Sequence, residues 1–361
     1  MSKNKHIDLE IMRILACYFV IFNHTGNNGY FLFSKYGSNT ITFWIYMFIS
    51  VFCLFAVKLF FMVSGALFLI REPDDIAYLW KHRIAKMLII LTFWSLFYYI
   101  VECWHGGRLE FDIKEFLIKL YDRNLNFSFW YLYKYIALLI SLPILQRIAK
   151  SLQSKEYIYM IILYIGFYAI LPIVQYLLWQ DRHNLNGNLR VSWLTQEIFM
   201  FPLLGYFIRY RVNDYWNNKR LIILWCSNIV AICLTCYMTY YQSCITGICD
   251  EEHSQGFFGL LTIINSMTVF VTCQYFCGRV RINKNIHKVI VSIASNTFGI
   301  YLIHVFVMNK ISVVKSAWDL FREKLNLNYM ISALLFCLFV LVVSYFLVCI
   351  LKKIPVLCKF I

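Results

Sequence analysis

Long apolar runs follow one another along this 361-residue chain, and they constrain its fold more than any other feature. They fall roughly at Leu9–Asn28, Ile41–Ile70, Ile84–Trp104, Phe129–Ile148, Tyr157–Trp179, Trp193–Tyr210, Leu221–Tyr241, Phe257–Phe276, Ile286–Met308 and Met330–Leu351. Most have about the ~20 residues that a helix needs to cross a bilayer. Apolar residues make up 61% of the chain and charged ones 15%, whereas a soluble domain carries about 45–50% and about 25%. Inside lipid, backbone amides must be satisfied within the spanning element itself, which here means helices. The expected fold is therefore all-α and integral to the membrane, with about ten transmembrane helices. There is no Gly/Ser/Pro linker, low-complexity tract or repeat, so residues 1–361 read as a single polytopic domain. The second run is overlong for one crossing and either tilts or begins at the interface. Leu109–Phe127 mixes apolar and charged residues at helical spacing, as an amphipathic surface helix does. The polar first ten residues, and a first run that leads into Asn, His and Gly, do not read as a removable signal peptide.

The net charge of +15 invites a nucleic-acid reading, but its distribution argues otherwise. An even number of spans puts both termini on one side, and about twice as many Lys and Arg fall on that side as on the other. The positive-inside rule then places both termini in the cytoplasm and the protein in the cytoplasmic membrane, among lipids and without a nucleic-acid partner. A secondary use of the charge is to attract a polyanionic cytosolic ligand. The thirteen cysteines are scattered. Neither Cys233/Cys236 nor Cys273/Cys277 has a second pair or a nearby His, so no metal site is expected. Cys244 and Cys249 flank a short outer-loop segment where a disulfide is possible in an oxidising compartment.

Arg13 and His24 are the most informative polar residues. Eleven positions at ~100° each end ~20° past three full turns, so both lie on one helix face, ~16 Å apart along the axis. Ionisable residues in such a stripe are functional candidates by default. The topology puts Arg13 near the inner surface and His24 near the outer one. His304 lies ~27 Å into a later rising span, at similar depth. Before it come Ser292, Ser295, Asn296 and Thr297, whose polar groups need partners in the bundle or a wet cavity. Ser64 and Gly65 allow close approach of a backbone or a thin ligand. Lys58, deep in its apolar run, must pair, snorkel or meet an anion. Arg71, Lys81, Arg83 and Lys86 form a basic mouth, either a lipid-headgroup belt or a phosphate clamp.

These residues carry a resemblance over nearly the whole length. The Arg13–His24 spacing, Phe60-Phe61-Met62-Val63-Ser64-Gly65, Trp130-Tyr131-Leu132, Pro202-Leu203-Leu204-Gly205-Tyr206 and the stretch Ser295 to His304 occur in the order seen in acyltransferase family 3. That family comprises integral-membrane O-acyltransferases of envelope glycans. Glu10 stands where many members have Asp, and Lys58 where many have Pro.

The resemblance implies transfer of an acyl group, usually acetyl, from cytosolic acyl-coenzyme A to a hydroxyl of an extracytoplasmic glycan or lipid-linked saccharide. The residues fit this independently: a basic mouth for the donor's phosphates, a small-residue channel for its thin arm, and an outer histidine for the hydroxyl proton. We expect His24 as general base, with Arg13 on a coenzyme A phosphate or holding Glu10. Glu197 is expected as a partner of His24 on the basis of depth. Lys58, Ser64, Arg83 and Lys86 complete the expected donor site. Trp130, Tyr131, Asn296, Tyr301 and His304 are expected on the acceptor side. Asn296, Tyr301 or Ser64 would donate to the developing oxyanion. A polytopic transporter or flippase of a glycan or lipid-linked intermediate is the alternative.

Overall fold

The computed structural model describes residues 6–73, 75–105, 108–180, 183–189, 191–247, 261–277, 279–280 and 282–361. Its helices are α1 (Ile7–Asn23), α2 (Ile41–Cys53), α3 (Phe55–Phe68), α4 (Ile76–Cys103), α5 (Ile113–Asp122), α6 (Phe127–Ser151), α7 (Ser154–Trp179), α8 (Glu197–Tyr210), α9 (Asn218–Thr246), α10 (Thr262–Cys277), α11 (Lys284–Lys310), α12 (Ser312–Asp319) and α13 (Tyr329–Leu351). A two-residue antiparallel ladder pairs β1 (Trp104–His105) with β2 (Arg108–Leu109), with Trp104 opposite Leu109.

Seven helical stretches among the described residues are long and apolar enough to cross a membrane: α2 with α3, then α4, α6, α7, α9, α11 and α13. The overlong second run is two helices, separated at Leu54. The other three apolar runs hold the shorter helices α1, α8 and α10, of 17, 14 and 16 residues; the beginning of the Phe257–Phe276 run lies outside the described residues. These short helices are enclosed rather than peripheral. Every residue from Met200 to Ile208 of α8 is buried, as expected of a helix that is apolar on all sides. Helix α1 packs on α3, α10, α11 and α13 and so occupies the centre of the bundle.

Local chemistry sets several helix starts. Thr40, Asp112, Asn217, Asn283 and Asn328 each accept a backbone N–H from the first turn of α2, α5, α9, α11 and α13, satisfying donors that a helix start leaves open. At the far end of α1, His24 follows the last helical residue and Gly26 adopts a positive φ of 52°. Helix α5 is the expected amphipathic segment: only Phe116 is buried. A wider i→i+5 turn over Leu79–Ile84 opens α4 and carries His82 and Arg83. Such turns recur at functional sites.

A backbone-to-backbone contact joins α3 to α8. A Cβ on Gly65 would lie 2.0 Å from the carbonyl oxygen of Pro202, and one on Gly205 would lie 2.0 Å from that of Met62. The two glycines face each other's backbones reciprocally, the small-residue packing typical of membrane helices. Gly65→Ala or Gly205→Ala must push the helices apart. We predict a loss of about 1–3 kcal/mol or more from overpacking, seen as a lower melting temperature in detergent and less protein in the membrane. An unchanged melting temperature in both variants would refute this packing.

Candidate active site: two histidines between two cavities

The end of α1 and the middle of α11 bring His24 and His304 together. Nδ1 of His24 lies 2.7 Å from Nε2 of His304, and the rings stack with centroids 5.0 Å apart and 16° between planes. The second nitrogen of His304, Nδ1, lies 2.7 Å from the carbonyl oxygen of Tyr301. A carbonyl can only accept, so His304 carries its proton on Nδ1 and presents a bare Nε2. His24 must then donate from Nδ1, which leaves its own Nε2 as a lone pair. This chain of two neutral imidazoles fixes a single tautomer at each ring.

The surroundings hold both rings in place. His304 is fully buried. The Tyr98 hydroxyl donates to Leu302 O at 3.0 Å and accepts from Phe306 N at 3.1 Å, bracketing His304 along α11. Phe127, at the start of α6, sets its ring edge against His24 with centroids 4.9 Å apart. Asn23 donates to Cys53 O at 3.3 Å and ties the end of α1 to the α2–α3 break.

On one side of this pair lies a cavity of about 570 Å³ between α1, α3, α4, α6 and α11. Arg71, His82, Arg83 and Lys86 line it at the end where α3 finishes and α4 begins. Arg13 and Ser64 line it further in, and Tyr131 and Tyr301 stand at the opposite end. The Tyr131 and Tyr301 rings are 5.4 Å apart, and Tyr301 is 5.9 Å from the His304 ring. Six of the residues expected in the donor, acceptor or catalytic sites thus share one cavity, Arg13, Ser64, Arg83, Lys86, Tyr131 and Tyr301, and Arg71 and Thr297 join them. Arg13 also pairs with Glu10 at 3.1 Å.

On the other side, at the opposite end of the bundle, a groove of about 330 Å³ opens directly onto His24. The loop after α1, the end of α11, and helices α12 and α13 form it.

Other expectations are corrected. Glu197 does not meet His24. It binds Lys58 at 2.9 Å and Lys134 at 2.6 Å, a triad joining α8, α3 and α6, while His24 takes His304 as its partner. A carboxylate at this depth is held by cations in reach, and two lysines stand nearer than any imidazole. For the same reason Lys58 does not line the basic cavity. Trp130 lies under the Lys134 ammonium, 4.8 Å from ring centroid to nitrogen, and lines neither cavity. Asn296 turns its amide back to Ser292 O at 2.7 Å. The Tyr301 hydroxyl is committed to Ser128 O. Tyr131 and Tyr301 line the basic cavity rather than the groove, and His304 is enclosed and hydrogen-bonded to His24. The Cys244–Cys249 pairing lies outside the described residues, since Cys249 is not among them.

The sequence reading missed the ion pair between Asp8 and Arg209, which clamps the start of α1 to the end of α8. Its only trace in the sequence is an acid just before the first apolar run and a base at the end of the sixth. Missed as well were the groove residues of α12, whose short amphipathic helix follows the last motif. Among the described residues no three His, Cys, Asp or Glu side chains gather as a metal site would require.

The fold and site define a helical multi-pass membrane protein with a hydrogen-bonded histidine pair, one ring buried and one half-buried, near a basic cavity and a polar groove. The family model described as an acyltransferase domain matches residues 6–349, nearly the whole chain, and the chain belongs to that family, acyltransferase family 3. No curated protein and no solved structure matches it. The family makes it an acyltransferase and lends nothing to the transporter or flippase alternative.

If Glu197 is a brace and not a catalytic partner, Glu197→Ala strands Lys58 in the bundle, whereas the more exposed Lys134 is free to turn outward. Breaking a buried ion pair from one side costs about 3–5 kcal/mol. The expected outcome is a large drop in melting temperature, partly recovered by the combined Lys58→Met and Glu197→Leu exchange. A stable Glu197→Ala variant that had lost only turnover would favour a catalytic role instead.

Proposed function

We propose that this acyltransferase is a membrane O-acetyltransferase of the cytoplasmic membrane. It moves an acetyl group from cytosolic acetyl-coenzyme A to a hydroxyl of an extracytoplasmic glycan or lipid-linked saccharide. The whole chain acts as one polytopic domain with ten crossings and both termini inside. The observation that carries the reading is the hydrogen-bonded chain from Tyr301 O through His304 to His24, which leaves Nε2 as a lone pair on a histidine that lines the groove.

Placement supports the following roles. The basic end of the inner cavity takes the donor's phosphates, with Arg83 and Lys86 as charge-assisted donors and Arg13 deeper along the path. Ser64 lines the narrow stretch suited to the pantetheine arm. The thioester approaches the histidine pair past Tyr131 and Tyr301. From the groove, an acceptor hydroxyl gives its proton to His24 Nε2 as its oxygen attacks the thioester carbonyl. The new C–O bond forms, the C–S bond breaks, and the proton passes to the leaving thiolate. As positive charge develops on His24, the lone pair of His304 Nε2 holds its Nδ1–H, and Tyr301 O holds that of His304. His304 is therefore a positioning residue.

His24→Ala is expected to lower the turnover of acetyl transfer by ~10²–10⁴, the usual worth of a general base, with the protein still folded in the membrane. His304→Phe should lower turnover by less and leave the Michaelis constant for acetyl-coenzyme A unchanged. Full activity in His24→Ala would remove the base. Arg83→Gln with Lys86→Gln should raise the Michaelis constant for acetyl-coenzyme A about tenfold or more, since charged hydrogen bonds carry about 1.5–3 kcal/mol each. An unchanged constant would return these residues to a lipid-headgroup belt.

A further inference from the structure

The groove above His24 has a lining that no part of the donor chemistry uses. Trp318, Lys315 and Asp319 come from α12, and Asn309 from the end of α11. Trp318 sets its ring against the edge of Phe336, with centroids 5.8 Å apart and 84° between planes, which fixes the indole. Lys315 and Asp319 are one turn apart on the same helix and both line the groove. At about 330 Å³ it stands near the lower end of the ~300–1,000 Å³ typical of small-molecule pockets.

We propose that this groove is the acceptor site and that α12 selects one uncharged pyranose ring, resting on Trp318. The inference deepens the reading of His24 as base and depends on it. A pyranose has an apolar C–H face, which needs a flat aromatic surface, and a rim of hydroxyls, which needs directional donors and acceptors. The groove supplies both. The Asp319 carboxylate accepts from hydroxyls, the Lys315 ammonium donates to them, and the Asn309 amide does either. The lysine and the aspartate cancel, so the groove carries no excess charge to favour a uronate or a phosphate. An alkyl alcohol would leave these polar groups without partners, at a cost that disfavours it. Because His24 lines the same groove, the hydroxyls of a bound ring come within its reach.

The test uses the full-length protein in detergent with acetyl-coenzyme A and three alcohols: methyl glucopyranoside, methyl glucopyranosiduronate and 1-hexanol. O-acetyl product is read by mass spectrometry. The expected result is acetylation of the glucoside ahead of the uronate and the hexanol. Trp318→Leu should then raise the Michaelis constant for the glucoside by about tenfold, the loss of one stacking surface, and Trp318→Tyr should restore most of it. Asp319→Asn should raise it as well. The proposal is overturned if the uronate or hexanol is the better acceptor. It is equally overturned if Trp318→Leu and Asp319→Asn both leave the constant unmoved, or if no glucoside is acetylated while acetyl-coenzyme A is consumed. Should the wild-type protein consume no acetyl-coenzyme A, or His24→Ala transfer at full rate, the base reading fails by itself. Calorimetric binding of methyl glucopyranoside to wild type and Trp318→Leu then decides the groove separately, and equal binding would sink it.

Discussion

The hydrogen bond between His24 and His304 organises the rest of the molecule. Two imidazoles inside an apolar bundle leave four ring nitrogens to satisfy, and burial without partners is costly. One carbonyl, Tyr301 O, terminates the chain at one end. Its inability to donate propagates through both rings and decides which nitrogen of His24 is bare. The bond also sets the register of α1 against α11, because the rings meet only when the end of α1 stands level with the middle of α11. A slip of one turn, ~5.4 Å, would bury both rings unpaired.

Charged braces hold that register from outside the site. Asp8 and Arg209 tie the start of α1 to the end of α8. The Lys58–Glu197–Lys134 triad ties the start of α8 to α3 and α6. Between them, Gly65 and Gly205 let α3 and α8 touch backbone to backbone. Helix α8 is thus fixed at both ends and in the middle, and α3, one wall of the inner cavity, is fixed with it. Such ion pairs in a bundle supply specificity of arrangement more than net stability, and here the arrangement they specify is the cavity.

Much of this was legible in the sequence because the signals were local. Apolar runs gave the helices, and helical spacing put Arg13 and His24 on one face. Equal depth hinted that His24 and His304 belong together, although only the packing of α1 on α11 brings them to 2.7 Å. The partners of charges were not legible. Glu197 and His24 share a depth as well, yet depth is one coordinate of three, and the bundle turns Glu197 toward Lys58 and Lys134. The count of crossings met a different limit. Length and hydropathy mark lipid-facing helices, whereas α1, α8 and α10 are shortened and enclosed. The α12 groove was invisible for a third reason: its residues become a site only once α11, α12 and α13 fold around the end of α1.

The separation of the two cavities has a mechanical consequence. His24 lines the groove and not the inner cavity, so on the proposed reading the thioester must pass beyond the end of the cavity that Tyr131 and Tyr301 line. Tyr301 is held on α11, three residues before His304, and its hydroxyl is tied to Ser128 O at the start of α6. Tyr131 belongs to the first turns of α6. On that reading a passage would open at the start of α6, because a shift of α11 would break the histidine chain. The same first residues of α6 include Phe127, which rests on His24. On that reading one short segment meets the donor's path through Tyr131, which lines the inner cavity, and the base through Phe127, so a shift of the start of α6 would act on both.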